Sequence, residues 1–271
     1  MNSSSIKSAK PSRSSLLLAA IVSLVLLTAT LPSYPAQAAS LSIQSYSPNV
    51  ASSAGGDKIV VTGKGLDKVT RVRVGGVILS KLTNRSKTKL GFVMPRMSQS
   101  WLQYGGYVGI EFMQSGAWTK ASPKFLLTAT RENTFESAGL VLRLLETSQP
   151  SFVPQQSRYG DLLPSPGAQL HGVKLNVLNM TDEWVDLTCS FEVEVKVIDT
   201  SFRRFSYLPN RHRVEGNPGC NVFMNPGFSA DALWVFDVPT LFKIVAVEVK
   251  AVTFGGPDPR SYYFAFKTEN P

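Results

Sequence analysis

Alternation is the feature that most constrains this chain. Along most of its length apolar and polar residues exchange places at every second position, in short runs that stop at glycine or proline. Successive side chains of a strand point to opposite faces, so such a run buries one face and wets the other. In the first half, Lys58-Ile59-Val60-Val61-Thr62 ends at Gly63, and Lys89-Leu90-Gly91-Phe92-Val93 stops before Pro95. Arg71-Val72-Arg73-Val74 meets Gly75-Gly76 and resumes at Val77-Ile78-Leu79. Two glycines between alternating runs signal a tight hairpin, because the favoured turns need positive φ. Tyr107 to Phe112 reads as one further strand, and Phe125-Leu126-Leu127 as the last of this half.

The second half alternates too. Val173 to Val177 and Cys189 to Val197 are the clearest runs, with the odd positions of the latter apolar and expected inside. Leu233 to Pro239, Val245 to Val249 and Tyr262 to Phe266 supply more strands, and Gly139 to Leu145 fits a strand better than a helix beside such neighbours. Short strands with turn residues between them imply sandwiches. The expected fold class is therefore all-β, with two immunoglobulin-like β-sandwich domains in tandem.

The N-terminus reads differently. Lys7, Lys10 and Arg13 precede an apolar stretch from Leu16 to Leu27, which ends at Pro32-Ser33-Tyr34-Pro35 and Ala36-Gln37-Ala38-Ala39. A basic start, a short apolar core and a small-x-small exit are the parts of a cleavable secretory signal. A membrane anchor would need roughly 20 uninterrupted apolar residues, and this run is broken by Ser23 and two prolines. We expect residues 1–38 to be removed and the product to be secreted, extracellular or associated with the cell envelope. No later stretch is apolar enough to span a bilayer, so no transmembrane segment is expected in the mature chain. The remaining 233 of 271 residues suit two domains, expected at 39–130 and 131–271 with a polar junction near Thr130.

The residues of the first half carry a family resemblance. Ser47-Pro48, Gly55-Gly56, Val60-Val61-Thr62-Gly63 and Gly65-Leu66, followed by Val72-Arg73-Val74-Gly75-Gly76, Leu90 to Pro95 and Val108-Gly109-Ile110, resemble an IPT/TIG immunoglobulin-like domain over about Leu41 to Ala129. The second half resembles the secreted immunoglobulin-like family DUF4352 over roughly Thr134 to Thr268. Asn179-Met180-Thr181, Val197-Ile198-Asp199, Asn225 to Ser229 and Trp234 to Pro239 carry that likeness. That family places a glycine shortly after the turn aspartate, whereas this chain has Thr200-Ser201-Phe202. The first resemblance implies a fold found in receptors, DNA-binding factors and secreted proteins, and neither resemblance implies a particular chemistry.

Charge divides the halves. Residues 39–130 hold 12 basic and 3 acidic residues, a net of +9, whereas residues 131–271 hold 13 and 16, a net of −3. Lys64, Lys68, Arg71, Arg73, Lys81, Arg85, Lys87 and Lys89 form a candidate anion-binding set, with Arg71 and Arg73 in one strand phase facing solvent. Such a patch attracts polyanions through its long-range field. For an exported protein the expected partner is an anionic cell-wall polymer or glycan, or another surface protein, and not nucleic acid; the same cations also suit an ordinary soluble surface. Trp101, Tyr104 and Tyr107 surround Gly105-Gly106 as a candidate aromatic platform on a loop, unless they cap the core. Trp184 and Trp234 read as core.

The two cysteines, Cys189 and Cys220, are expected to pair as a disulfide, since an even count in an exported chain favours oxidation. Free buried thiols are the alternative; a metal pair lacks a further Cys or His at ligand spacing, so no metal is expected. His171 and His212 lie in no paired motif, and His212 reads as a solvated loop residue between Arg211 and Arg213. No nucleophile elbow, phosphate loop or calcium loop occurs. Glu192 and Glu194 share a strand face, but a glycosidase pair normally spans a cleft. The expectation is a non-catalytic binding protein without catalytic residues or cofactor, or else a structural spacer making protein contacts through sheet edges.

Overall fold

A computed structural model describes residues 40–129, 134–137, 139–189, 193–251 and 261–266. The expected export segment 1–38, the expected boundary at residues 130 and 131, and Glu192 lie outside the described residues.

The first half contains Ser42–Ser47 (β1), Val50–Ser52 (β2), Lys58–Lys64 (β3), Val69–Val74 (β4), Val77–Leu79 (β5), Lys89–Val93 (β6), Gly106–Tyr107 (β7), Ile110–Gln114 (β8), Ala117–Lys120 (β9) and Leu126–Thr128 (β10). They form sheets in the orders β1-β3-β6, β5-β4-β8-β9 and β2-β10-β7. Ile59, Val61, Val72, Val74, Leu90, Phe92, Ile110 and Phe112 meet in its core, where the alternation placed them. The expected hairpin pairs Val74 with Val77, and Gly75 and Gly76 both take positive φ, 51° and 92°. A residue with a Cβ at either position would be strained.

The stretch from Tyr107 to Phe112 departs from expectation. It is two strands in two sheets, β7 and β8, because the chain changes sheets at Val108-Gly109. There Val108 donates its N–H to the Phe125 carbonyl, and the Gly109 carbonyl accepts from the Gly75 N–H. Unbroken alternation hides such a crossing.

The second half contains Thr134–Ser137 (β11), Leu140–Ser148 (β12), Ala168–Asn179 (β13), Val193–Asp199 (β14), Arg204–Ser206 (β15), Ser229–Pro239 (β16), Ile244–Ala251 (β17) and Ser261–Ala265 (β18). Its two four-stranded sheets are β11-β12-β13-β16 and β15-β14-β17-β18. They enclose a core in which Trp234 and Phe236 meet Leu142, Leu175 and Val195. In β14, Val193, Val195 and Val197 are buried while Glu194 and Lys196 are half-buried. Cys189, expected on the inward face of this strand, lies before it in a turn and is half-buried.

The turn after β14 is built without a glycine. The Asp199 carboxylate is buried and accepts the N–H groups of Ser201 (2.8 Å) and Arg203 (2.9 Å), with the Arg203 guanidinium closing on it. Phe202 takes the left-handed conformation (φ 63°) that a glycine would adopt freely. Its ring packs on Tyr107 from the first half.

That contact belongs to a seam between the halves. Leu126, Ile198 and Ala246 are buried together, with Val50, Tyr107, Phe202 and Tyr263 packed around them. Ile198 follows the core residue Val197, so this end of β14 is covered on both faces. The Ala129 N–H donates to the Tyr263 carbonyl at 2.6 Å, and the Tyr104 ring lies 5.0 Å from that of Tyr262.

Candidate functional site

The cations of the first half fall into two groups. The Gly63 N–H donates to the Thr88 carbonyl and the Leu66 N–H to that of Lys87, and Thr62 pairs with Lys89. These bonds bring Lys64, Lys87 and Lys89 to one end of the β1-β3-β6 sheet. Arg85 joins them by donating to the Val69 carbonyl at 3.1 Å, beside Lys68. Lys64, Lys68, Arg85, Lys87 and Lys89 are all exposed. Arg71 and Arg73 instead lie on the outer face of the β5-β4-β8-β9 sheet, opposite Met113 and Glu111. Lys81 is exposed in the loop after β5.

Arg73 departs from the expected solvated position. It is half-buried and ion-paired with Glu111. The hydrogen bond from Arg73 holds the Glu111 carboxyl below its ordinary range. Among the described residues none of the other seven cations has a carboxylate partner.

Sequence reasoning missed Trp118. Register places it beside Met113, with Lys120 beside Glu111, so Arg71, Arg73, Trp118 and Lys120 share one outer face. The Arg73 guanidinium sits 4.5 Å from the centre of the Trp118 ring. The Trp118-Thr119-Lys120 alternation was the available signal, but its register against Arg73 needed the fold.

The expected aromatic platform is not a loop. Gln99–Tyr104 forms a short helix (α1), which Gly105 ends by donating its N–H to the Trp101 carbonyl. Trp101 packs against the first core, Tyr104 against Tyr262, and Tyr107 against Phe202 and Tyr263. None of the three is exposed. Six residues are too few for helical spacing to show in the sequence.

Trp234 is fully buried as expected, whereas Trp184 is 69% exposed. It stands with exposed Phe223, and Val222, Phe223 and Phe228 line a hollow of about 230 Å³. Glu194 pairs with Lys196 at 2.7 Å, which suits a solvated strand face. His171 is buried, and burial pushes its pKa down.

Cys189 and Cys220 form the expected disulfide. His212 is half-buried rather than solvated, with Nδ1 3.9 Å from Cys189 Sγ. A cavity of about 420 Å³ opens beside them, lined by Thr188, Ser206, Tyr207 and Asn210.

Residues 41–125, which hold the first sandwich, match the IPT/TIG domain family. No curated protein matches the chain significantly. Among solved structures, a conserved protein from Bacillus anthracis is 13% identical, covering 49% of this chain and 92% of that one, at a TM-score of 0.36. An uncharacterised β-sandwich protein from Clostridium difficile is 14% identical, covering 49% and 89%, also at 0.36. The extracellular region of plexin A4 is 13% identical, covering 88% of this chain and 19% of that one, at 0.30.

Proposed function

We propose that this chain is an exported, non-catalytic binding protein of the cell envelope or extracellular space. In this reading its IPT/TIG sandwich carries the contact surface and a DUF4352-like sandwich supports it. The ligand class is an anionic wall polymer or acidic glycan. The observation that carries the reading is the cluster of exposed cations at Lys64, Lys68, Arg85, Lys87 and Lys89, none of which has a carboxylate partner among the described residues. Trp118 adds a flat ring beside Arg71 and Arg73 on the neighbouring face.

Replacing Lys64, Arg71, Lys87 and Lys89 by Glu tests this on purified cell walls. At about 1 kcal/mol per cation near an anionic surface, losing four weakens binding roughly thousandfold, with circular dichroism unchanged. Equal sedimentation of the variant and the parent would contradict it. Contact with another protein is the second reading, favoured by the exposed Trp184, Val222, Phe223 and Phe228. Under that reading Trp184→Ala, and not the charge reversal, removes binding.

A further inference from the structure

We propose that Cys189, Cys220 and His212 form a soft-metal site when the disulfide is reduced, with Zn²⁺ as the cation class. The inference is independent of the polymer-binding surface. The two sulfurs and an imidazole nitrogen lie within 4.8 Å of one another. A tetrahedral zinc with bonds of about 2.3 Å to sulfur and 2.0–2.1 Å to nitrogen needs an S···N separation of about 3.6 Å. The observed Cys189 Sγ to His212 Nδ1 distance is 3.9 Å. Separating the sulfurs to about 3.8 Å completes the set of three. The adjoining cavity, lined by both Cys189 and His212, leaves room for water or a small ligand as the fourth.

The segments bearing these residues are also held without the covalent bond. Asp186 is buried, and its carboxylate accepts the Cys189 N–H at 3.1 Å and the Asn221 N–H at 3.2 Å, clamping the backbone beside both sulfurs. Thr188 Oγ1 donates to the Gly219 carbonyl at 3.1 Å. Asn217 Nδ2 donates to the Arg211 carbonyl at 3.0 Å, next to His212. Opening the disulfide therefore leaves three prepositioned ligands. The neighbouring cations point elsewhere: the Arg211 guanidinium lies over Tyr207 and Trp234, and that of Arg213 over Tyr159.

Cys220 is the exposed partner and the accessible point of attack. A dithiol reductant supplies two electrons. One of its thiolates attacks Cys220 Sγ, breaks the bond to Cys189 and releases the Cys189 thiolate. Its second thiol then displaces Cys220 and leaves as the oxidised disulfide. Zinc binds the two thiolates and the neutral imidazole, so the protons of any protonated ligand are released.

The test is an anaerobic titration of the phosphine-reduced chain with Co²⁺, read by thiolate-to-cobalt absorption and competed with Zn²⁺, while near-ultraviolet circular dichroism follows the fold. The expected result is one cobalt per reduced chain, displaced by zinc, and no thiolate band in the oxidised chain. His212→Ala should weaken binding by more than roughly tenfold, since even losing an outer-shell partner costs that much. Absence of the band in the reduced chain, folded or not, or unchanged affinity in His212→Ala, overturns the proposal.

Discussion

The two sandwiches share an architecture and differ in what their cations do. In the second, Lys174, Lys196, Arg203 and Arg204 are each ion-paired with a carboxylate of the same half. In the first, Arg73 alone is so paired among the described residues, while Lys64, Lys68, Arg85, Lys87 and Lys89 are exposed at one end of the domain. The difference is one of acids more than of bases, because the halves carry 12 and 13 basic residues but 3 and 16 acidic ones. Surface ion pairs contribute little stability, with a median of about 0–1 kcal/mol. Their absence therefore costs the first fold little, and it leaves a field available to an external anion.

Stability experiments sharpen this comparison. The largest effect is expected from Trp234→Ala in the second core, where truncating a fully buried tryptophan costs about 3–5 kcal/mol. Loss of the second half's melting transition, with wall binding retained, is the expected outcome in calorimetry and sedimentation. Cys220→Ser should cost roughly 3–4 kcal/mol, from opening a loop whose ends are 31 residues apart. Free-thiol labelling of both cysteines in the native chain would remove the basis of that prediction.

The seam comes next. Leu126→Ala is expected to cost about 2–3 kcal/mol and to lower the melting transition of the first half, because Leu126 packs on Ile198 and Ala246. Fragments 39–130 and 131–271 probe the same boundary: each is expected to fold alone and to expose its side of the seam. A fragment soluble only when joined to the other would make the seam obligate.

Acid should have the smallest effect. Burial alone would raise the Glu248 pKa, but hydrogen bonds from Arg204 and Tyr263 outweigh it and hold the carboxyl below its ordinary value. A depressed folded-state pKa contributes stability that is present above the unfolded value, about 4.3, and lost as pH falls through the folded one. Glu248→Gln should flatten the acid limb of unfolding below about pH 4.3. An unchanged limb would remove Glu248 from the account.

Much of the fold was legible in the sequence because burial on one face imposes a period of two. Val72, Val74, Val195 and Val197 are buried where that period put them. The hairpin at Gly75-Gly76 was legible from its turn chemistry. What escaped depends on long-range register. Nothing near Trp118 indicates that Arg73 will lie over it, and nothing near His212 brings it to Cys189 across 23 residues. Trp184 misled because it lies among strands in the sequence, whereas the loop carrying it leaves the ring exposed. Tyr107 misled in the opposite sense, since its loop-like surroundings concealed the second sandwich that covers it.

In the proposed function, the first-sandwich cations without a carboxylate partner among the described residues bind an anionic polymer electrostatically. The deciding measurement is a salt series of residues 39–271 on purified cell walls. Screening shortens from about 10 Å at 0.1 M to 3 Å at 1 M, so the account predicts affinity falling linearly on a log-log plot, with a shallower slope for the four-residue charge reversal. Binding that ignores salt and is abolished by Trp118→Ala would contradict it.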